Sequence, residues 1–394
     1  MTGLFEIAQS EELDGFAATV RAFVEREIAP VEDELRAAGA TGIPPDLRAR
    51  LQRKAKAAGL WCFATPAEYG GAGLTPTQLV VVMEQAVRHT YSLPDPGDGA
   101  FGYDPPNFLL AADPQQHQRY LLPAVAQGRQ WFVAITEPSG GSDPGRSIQT
   151  RAEPIPDGWR IRGRKMFISR VGESEHGIVL ARTGTAGEAG AGISAFIVPT
   201  GADGLSYRKV AVIRDHHTYE VVLDGVEVPA GNLLGEPGQG FALAKRWLAR
   251  GRLAIAARSL GVAMLAWELA ARYARDRSTF GRPLADRQGI QWMLADAAVE
   301  LHAARLVVRD AAGELERGRP TRARTSMAKL LATETAYRVV DQAVQIHGGL
   351  GLCQELPLEH WYRALRVNRI VEGATEVQRL IIARDLLAGG RRAA

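Results

Sequence analysis

The sequence predicts an α+β fold that is mostly helical. We expect an N-terminal helical domain over residues 1–129, a middle β-barrel or β-sandwich domain over 130–234 and a C-terminal four-helix bundle over 235–394. Helical periodicity fills the first region, short β-rich runs bounded by turn residues fill the second, and longer helical segments fill the third. Strands and helices do not alternate, and no Gly-x-Gly-x-x-Gly follows a strand, so we do not expect a Rossmann nucleotide site.

Length and composition are consistent with this organisation. The 394 residues, 46% of them hydrophobic, suffice for two or three domains with sizeable cores. The 47 basic residues comprise 41 Arg and 6 Lys, and the 44 acidic residues leave a net charge of +3. Such an Arg excess fits either anion recognition or a GC-rich genome. No nucleic-acid-binding module is recognisable and the Arg residues are scattered, so we expect a bacterial source and no nucleic-acid partner.

The sequence also bears on membranes, export and metals. The longest apolar stretches, such as 260–269, fall short of the ~20 residues that span a bilayer, so we expect no membrane segment. The first residues show neither a signal-peptide nor a transit-peptide pattern, and we expect the mature chain to begin at Met1. Cys62 and Cys353 are isolated, which favours no disulfide, no metal site and a reducing cytoplasm.

Four helices are predicted in the first region. Apolar residues recur at spacings of three and four over 13–24, which places them on one face of a helix. The other three helices are predicted over 45–59, 74–90 and 114–127. The segment 94–106 is rich in Gly, Pro and Asp, and we expect it to be a surface loop.

The middle region contains short runs of β-forming residues separated by tight-turn residues. The predicted strands are Trp131–Thr136, Trp159–Ile161, Lys165–Ser169, Ile178–Ala181, Ile193–Val198 and Tyr219–Leu223. Turns are predicted at Asp157-Gly158, over 201–204 and at Asp224-Gly225.

The helices of the last region are longer. They are predicted over 239–276, 285–317, 322–346 and 374–388, and four such helices suggest a bundle. The first of them is apolar over more than half of its circumference after residue 250, so we expect it to be buried on several sides.

The first segment that suggests chemistry lies at the end of the first strand. Residues 134–143 read Ala-Ile-Thr-Glu-Pro-Ser-Gly-Gly-Ser-Asp, in which a strand leads into a Gly-rich turn with hydroxyl groups. Such a turn can hydrogen-bond a flat heteroaromatic ring. Taken alone, it fits equally an ordinary strand-to-turn transition with local caps.

Five motifs in order resemble those of the acyl-CoA dehydrogenase family, and the resemblance covers residues 10 to 388. They are Thr136-Glu-Pro with Gly141-Ser-Asp; Gly163-Arg-Lys-Met-Phe-Ile-Ser169; Arg277-Ser-Thr-Phe-Gly-Arg-Pro283 with Gln288; Gln345-Ile-His-Gly-Gly349; and Glu372-Gly-Ala-Thr-Glu-Val-Gln378. The resemblance implies the three-domain fold predicted above. It also implies FAD bound at a subunit contact of a homotetramer or homodimer, and a role in fatty acid metabolism such as β-oxidation.

The resemblance assigns the flavin ring to the middle domain. Thr136 and Ser142, with the backbone around Ile135 and Gly141, match the loop that holds one side of the ring, and Ser142 also lies toward the acyl-CoA. Phe167 and Ser169 match a ring-facing aromatic residue and a hydroxyl near flavin N5. The list of matched positions is Ile135, Thr136, Gly141, Ser142, Phe167 and Ser169.

The resemblance assigns the rest of FAD to the C-terminal region. Arg277 matches the Arg that reaches the diphosphate of a neighbouring subunit's FAD, a role suited to a guanidinium fork. Phe280 and Gln288 match adenosine contacts. The remaining matched cofactor positions are Gln345, Gly348, Gly349, Thr375 and Glu376. His347, inside the same motif, is interpreted as a packing or capping residue.

Glu372 is the predicted catalytic base. Abstraction of the α-proton of an acyl thioester requires a carboxylate whose pKa is closer to neutrality than the usual ~4.3, and burial can provide this. Without the resemblance, Glu372 would be read as the acidic residue that begins the last helix. Some family members place the base on an earlier helix, at the position of Gly251, and no carboxylate competes there. Arg252 and Gly373 match substrate contacts.

The sequence departs from the family pattern at three positions. Phe167 stands where Trp is most common, so the flavin potential or solvent access is expected to differ. Ala374 replaces a Thr, and Ala364 replaces an Asp that forms an ion pair, which puts the stability of the catalytic loop in doubt.

The implied reaction is dehydrogenation of an acyl-CoA to the trans-2-enoyl-CoA. Glu372 takes the α-proton, hydride leaves to flavin N5, and the thioester carbonyl is stabilised by a ribityl hydroxyl and the backbone N–H of Glu372. An electron-transfer flavoprotein is the implied electron acceptor. Two alternatives stay open: a flavin monooxygenase or nitroalkane-type oxidase on the same fold, and a non-catalytic FAD-binding subunit of a paired dehydrogenase. Substrate chain length and branching are not predicted, and 94–106 could reshape the acyl pocket.

Overall fold

The computed structural model describes residue 5 and residues 7–40, 42–91, 93, 95–184, 190–213, 218–319 and 321–389. Met1, at which we expect the chain to begin, lies outside the described residues. By contacts between residues the chain divides into two compact units. The first comprises 1–60, 74–101 and 249–394, and the second comprises 61–73 and 102–248. The predicted domain boundaries at 129 and 234 stay a prediction.

The N-terminal part of the first unit is helical, as predicted. Its helices are α1 (Glu11–Phe23), α2 (Ala29–Ala37), α3 (Pro45–Ala57) and α4 (Pro76–Ala86). Ser10 caps α1 by accepting a hydrogen bond from the Leu13 N–H, and three acidic residues occupy its first turn. The sequence does not predict α2. A π-helical turn, Val24–Ile28, carries the backbone from α1 into α2, and Pro30 falls in the first turn of α2, where its missing N–H costs no hydrogen bond.

The prediction of a surface loop over 94–106 is wrong for its central residues. Gly97, Ala100 and Phe101 are buried. His89 Nε2 accepts a hydrogen bond from the Gly97 N–H at 2.8 Å, and the Asp98 carboxylate accepts one from the Ile43 N–H at 2.8 Å. These bonds satisfy backbone groups that burial removes from water, which is why a Gly- and Pro-rich segment can lie inside. Pro94 lies outside the described residues.

A short helical stretch precedes the sheet of the second unit. It comprises α5 (Pro114–Gln116), a π-helical turn (His117–Leu121) and α6 (Leu122–Gln127), in place of the predicted single helix over 114–127. Gly128 ends it in the left-handed region, with φ 59°. A Cβ at Gly128 would lie 2.6 Å from the Trp61 ring, so only glycine allows this approach.

A mixed sheet of eight strands dominates the second unit. The elements are β1 (Trp131–Ala134), α7 (Pro144–Ser147), β2 (Arg151–Ile155), β3 (Gly158–Ser169), β4 (His176–Arg182), β5 (Ile193–Pro199), β6 (Leu205–Val210), β7 (Thr218–Pro229) and β8 (Leu233–Leu234). The strand order is β6-β7-β3-β2-β4-β5-β8, and β1 pairs with β4 in parallel. Strands β4 and β5 are buried on both faces: Ile178 packs in a cluster with residues of α6, and Val179 packs in a second cluster with residues of β7.

The sheet differs from the prediction in several strands and in one turn. The two strands predicted over 159–161 and 165–169 form the single strand β3, and β8 is not predicted. Strands β2 and β6 are not predicted, because they lie largely exposed and carry charged side chains. The predicted turn at Asp224-Gly225 is wrong: both residues lie within β7, where the register with β3 shifts, so Gly225 with φ 74° belongs to a β-bulge. The predicted turn at 157 does close the hairpin between β2 and β3.

The long helices of the last region are confirmed and one helix is added. They are α8 (Gly240–Asp276), α9 (Gln288–Glu316), α10 (Arg322–His347), α11 (Leu358–Asn368) and α12 (Thr375–Gly389), with a small hairpin of β9 (Ser278–Thr279) and β10 (Arg282–Pro283) before α9. Helix α11 is the unpredicted one. It joins α8 through a hydrogen bond of 3.0 Å from Asn368 Nδ2 to Ser259 Oγ.

Buried polar pairs and close backbone approach fix the interior of the first unit. Arg305 of α9 forms an ion pair of 2.8 Å with Glu84 of α4 inside the protein. Gly261 of α8 lies so near α4 that a Cβ there would be 2.5 Å from the Glu84 carbonyl oxygen. Among the described residues, α8 alone is long and apolar enough to cross a membrane, but 72% of its apolar window is buried inside the protein, as in a core helix.

Candidate active site

Glu372 lies in the tight turn between α11 and α12. Its φ is 54° and that of Gly373 is 100°, so both adopt the left-handed region. For a glutamate this conformation costs on the order of 1–3 kcal/mol and persists only where surrounding contacts impose it. Thr375, the first residue of α12, donates its N–H to the Arg369 carbonyl at 3.0 Å and closes the turn. The strained backbone therefore directs the Glu372 side chain toward the interior.

Three side chains hold the turn by its carbonyl groups. Arg252 Nε of α8 donates to the Glu372 carbonyl oxygen at 3.3 Å. Lys329 Nζ of α10 donates to the Gly373 carbonyl oxygen at 3.0 Å, and Gln378 Nε2 of α12 donates to the same oxygen at 2.7 Å. Donors from three helices thus bind the backbone carbonyl groups of Glu372 and Gly373. These hydrogen bonds do not involve the Glu372 carboxylate.

The Glu372 carboxylate occupies the space beside Gly251 of α8. A Cβ on Gly251 would lie 2.7 Å from Cδ of Glu372 and 2.8 Å from Oε1, with Oε2 closer still. No side chain fits at residue 251 while Glu372 keeps this position. Positions 251 and 372, the two at which the resemblance places a base, therefore share one space.

Burial sets the acidity of Glu372. The residue is half-buried, but its Oε2 is shielded from solvent and has no hydrogen-bond partner among the described residues. Burial raises the pKa of Glu372 to about 7, and the positive charges of Arg258, Arg252 and Lys329 limit the rise. A carboxylate with a pKa near neutrality can accept a proton and return it at physiological pH.

The raised pKa of Glu372 lowers the stability of the folded protein at neutral pH. The pKa of Glu372 is higher in the folded chain than its ordinary value of 4.5, so the protonated form favours the fold. That contribution is present at acid pH and is lost as the pH rises through about 7. The shift from 4.5 to about 7 corresponds to about 3 kcal/mol. The ionised Glu372 is therefore maintained by the rest of the first unit.

A second set of contacts supports the ends of the turn. Glu334 of α10 accepts hydrogen bonds from Arg369 Nε at 2.9 Å and from Thr375 Oγ1 at 2.7 Å. Ala364 is 2% exposed in the core of the unit, and Arg363 pairs with Glu359 one turn earlier, at 2.9 Å. Ala364 cannot form the ion pair that an Asp would form there. The turn has another ion pair at its base, between Arg369 and Glu334.

The predicted flavin-ring residues come together within the second unit. The Thr136 carbonyl oxygen, just after β1, accepts a hydrogen bond of 2.9 Å from the Met166 N–H of β3. The pairing of β3 with β7 shifts register between Lys165 and Ile168, and Phe167 in this bulge has φ 58° and a side chain 56% exposed. An aromatic residue in the left-handed region that points to solvent is a typical mark of a binding surface.

A buried ion pair lies directly beneath this surface. Lys165 Nζ is 2.9 Å from Glu137 Oε1, and both side chains are almost completely buried. Glu137 also accepts hydrogen bonds from the N–H groups of Gln149 and Thr150, and Lys165 donates to the Ile135 carbonyl oxygen at 3.2 Å. The pair therefore ties β3 to the strand end that carries Ile135 and Thr136.

The other residues of the ring surface are accessible. Gly141 and Ser142 are exposed on the turn, and Ser169 is half-buried at the end of β3. A Cβ on Gly141 would lie 3.1 Å from the Thr136 methyl group, so the turn folds closely back on Thr136. The arrangement is a shelf of backbone and hydroxyl groups beside an exposed aromatic ring, which fits one face of a flavin.

The predicted diphosphate and adenosine residues lie on the surface of the first unit. Phe280, at the tip of the β9–β10 hairpin, has φ 50° and is 97% exposed. The exposed cofactor positions are Arg277, Phe280, Gln288, Gln345, Gly348, Gly349 and Glu376. Thr375 is instead buried, and its hydroxyl donates to Glu334. A nearly fully exposed Phe beside an exposed Arg suits contact with a ligand or a second chain. The individual roles of these residues stay predictions.

His347 packs inside the first unit, as expected. Its ring stacks on Tyr273 with 4.3 Å between ring centroids, and Nδ1 lies 2.7 Å from the Ala343 carbonyl oxygen.

Several residues that shape the site have no role in the sequence prediction, although Glu137, Lys165 and Gln378 lie within its motifs. They are Glu137, Lys165, Lys329, Glu334 and Gln378. Lys165 and Lys329 carried a signal, since each is one of only six Lys in the chain and stands in an apolar stretch of a predicted strand or helix. Their partners lie 28 and 44 residues away, beyond what local pattern shows.

Comparison with protein families finds matches to three consecutive domains of one family. The chain matches the acyl-CoA dehydrogenase N-terminal domain over residues 10–129, the middle domain over 133–226 and the C-terminal domain over 238–387.

Similar proteins match over nearly their whole length. A 3-(aryl)acrylate reductase of Clostridium sporogenes is 35% identical, covering 93% of this chain and 96% of that protein. The mitochondrial short-chain specific acyl-CoA dehydrogenase of Homo sapiens is 35% identical, covering 95% and 89%. The caffeyl-CoA reductase-Etf complex subunit CarC of Acetobacterium woodii is 34% identical, covering 96% and 99%. The solved structure of butyryl-CoA dehydrogenase from Megasphaera elsdenii superposes with a TM-score of 0.86 at 30% identity, covering 97% and 100%.

The space shared by Gly251 and Glu372 gives a prediction for Gly251→Ala. The new methyl group should displace the flexible Glu372 side chain rather than the backbone, so the fold is kept, and removing a helical Gly adds about 0.5–1 kcal/mol of stability. Thermal unfolding should show an unchanged or higher midpoint, while a crystal structure shows the carboxylate moved away from residue 251. The matched control is Gly15→Ala in α1, where the added methyl meets no atom. A large loss of stability with Glu372 in place would contradict the assignment.

Proposed function

The chain belongs to the acyl-CoA dehydrogenase family of FAD-dependent oxidoreductases that act on CH–CH groups, and we propose that it converts an acyl-CoA thioester to the trans-2-enoyl-CoA with Glu372 as the base. The observation that carries this proposal is the Glu372 carboxylate, whose buried Oε2 has no hydrogen-bond partner among the residues described and whose pKa is raised to about 7. A buried carboxylate oxygen without a hydrogen bond destabilises the folded protein. A glutamate with only a structural role would not require this destabilisation, because it could be paired.

Glu372 is suited to remove the α-proton of a thioester. Its carboxylate is bound by no donor among the described residues, so its lone pairs are available to a substrate C–H. The turn around it is fixed by Arg252, Lys329 and Gln378, which limits the geometries that the base can adopt.

The exposed Phe167 and the adjoining turn of the second unit support a flavin-binding role for these residues. FAD, when bound, supplies the acceptor for the hydride that leaves the β-carbon. We propose that Thr136, Ser142 and Ser169 hydrogen-bond the ring system and that Phe167 covers part of it. Arg277 would neutralise a diphosphate, and Ser142, Arg252 and Gly373 would contact the acyl-CoA. The buried pair of Glu137 and Lys165 keeps the strand end that carries Thr136 in place.

The same site can work in the opposite direction. The relatives from Clostridium sporogenes and Acetobacterium woodii are named as reductases, so reduction of an enoyl thioester or a related acrylate is a second candidate. A base with a pKa near 7 serves both directions, since it is half protonated at neutral pH. The direction that prevails depends on the electron partner, and we propose an electron-transfer flavoprotein, because the Acetobacterium relative is a subunit of a reductase-Etf complex.

We also propose that the chain forms a homo-oligomer, a tetramer or a dimer, with FAD at a subunit contact. An apolar row on α9 supports this: Trp292 is 61% exposed, Val299 69% and Leu306 46%, and the spacing of seven residues places them on one face. Phe280, 97% exposed on its hairpin, adds a second uncovered apolar surface. A reducing cytoplasmic location is proposed as well, since Cys62 and Cys353 stand nearly three hundred residues apart in the sequence, without CxxC spacing.

Flavin reduction tests the proposed reaction. The FAD-containing protein mixed anaerobically with short, branched, long and cyclic acyl-CoAs should lose its flavin absorbance with at least one of them. The rate should rise with pH and level off above about 7, because only the ionised Glu372 accepts the proton. Glu372→Gln should keep FAD and lose the bleaching by a factor of at least ~10³. Rapid bleaching by that variant would remove Glu372 from the role of base, and peroxide as the main product would favour an oxidase.

The apolar row on α9 predicts the effect of a charge at its centre. Val299→Asp should shift sedimentation toward smaller species and weaken FAD retention, because a carboxylate cannot be buried in an apolar contact. Val299→Ala is the matched control and should keep the wild-type assembly. A wild-type protein that sediments as a monomer with FAD bound would refute the proposed subunit contact.

A further inference from the structure

We propose that Lys329 is a positioning residue of the catalytic turn, which fixes the Gly373 carbonyl and, through its charge, favours the ionised form of the Glu372 carboxylate. This proposal rests on the proposed role of Glu372 as the base. It assigns a function to a buried lysine that no motif in the sequence marks.

The placement of Lys329 is unusual for a structural lysine. Lys329 has no exposed surface, and its Nζ donates to the Gly373 carbonyl oxygen at 3.0 Å. Among the described residues it has no carboxylate within ion-pair distance. The other buried lysine, Lys165, forms a direct ion pair with Glu137 at 2.9 Å. Lys329 thus brings a charge into the interior without the usual compensating contact.

The charge of Lys329 acts mainly on Glu372. Burial lowers the pKa of Lys329 to about 8, and Glu372 is the strongest of the negative charges that oppose this decrease. Reciprocally, Lys329 is among the cations that limit the rise in the pKa of Glu372. Because Lys329 donates to the backbone and not to the carboxylate, it stabilises the anion without occupying the lone pairs that a base must use.

Other charged groups surround the pair and belong to every helix that packs on the turn. They are Arg252 and Arg258 of α8, Arg322 and Glu334 of α10, Arg369 after α11, and Glu376 of α12. Glu334 is engaged by Arg369 and Thr375, so its charge is largely compensated. Lys329 has a pKa of about 8 and Glu372 one of about 7, so the charges of both change near neutral pH. Removal of Lys329 therefore has a pH signature.

The experiment compares Lys329→Met, Lys329→Gln and Lys329→Arg in the FAD-containing protein. Without the lysine charge, the titration midpoint of Glu372 should rise by about one pH unit. Flavin reduction by an acyl-CoA should then be about fivefold slower at pH 7 and close to wild type at pH 9, where both proteins have an ionised base. Lys329→Arg should keep the wild-type pH profile, because the guanidinium remains charged.

Two controls separate charge from packing. Thr333→Val, one turn along α10, removes a buried hydroxyl that donates to the Lys329 carbonyl and should leave the midpoint unchanged. Gln378→Met removes the second donor to the Gly373 oxygen without removing a charge, and should also leave the midpoint unchanged. An equal slowing of Lys329→Met at all pH values, or an equal shift in Gln378→Met, would overturn the proposal.

A substrate-free measurement keeps this test independent of the proposed reaction. The carboxylic-acid band that is present in the infrared difference spectrum of the wild type and missing in Glu372→Gln reports protonation of Glu372 directly. Its midpoint should be higher in Lys329→Met and Lys329→Gln even if no acyl-CoA bleaches the flavin, so failure of the reaction and failure of the proposal are distinct results. If the neutral variants do not fold, Lys329→Arg decides: its midpoint must stay at or below that of the wild type.

Discussion

The first compact unit depends on one electrostatic constraint, the placement of a carboxylate that accepts no hydrogen bond from any residue the structure describes. Glu372 is fixed by backbone conformation and by hydrogen bonds to its own and its neighbour's carbonyl groups, while its buried Oε2 has no partner in the described part of the chain. Direct ion pairs with Arg252 or Lys329 would have lowered the folding cost and the pKa together, and so would have removed the basicity. The cations are instead turned onto the backbone, where they position the turn and compensate the charge from a distance.

The remainder of that unit is arranged consistently with this constraint. Gly251 leaves the space into which the carboxylate projects, and glycine is required there although it weakens a helix. Glu334 closes both ends of the turn through Arg369 and Thr375. In the second unit, the buried pair of Glu137 and Lys165 plays the corresponding part for the exposed surface around Thr136 and Phe167, the proposed place of the flavin ring. Each functional surface thus rests on a buried polar cluster.

Local pattern predicted the elements whose burial follows a simple period. The helices α1, α8 and α10 and the strands β4 and β5 were found because their apolar residues repeat along the chain. Strand β6 was missed because its residues are exposed and charged, and α2 because Pro30 resembles a helix stop. Glu372 was predicted as the base from the order of five motifs. Its left-handed backbone and the space beside Gly251 could not be found, because the contacting residues lie about 120 positions apart.

The central claim is that the base acts from the space beside Gly251, whichever backbone carries it. The most direct test moves the carboxylate across that space with the double substitution Gly251→Glu and Glu372→Gly, and compares its rate of flavin reduction by acyl-CoA with that of Glu372→Gly alone. Glycine suits the left-handed backbone at 372, so the turn is preserved. We expect the single variant to lose activity and the double variant to be at least ~10-fold more active than it, with a pH dependence that again reports a buried carboxylate. Equal inactivity of the two stably folded, FAD-containing variants would contradict it.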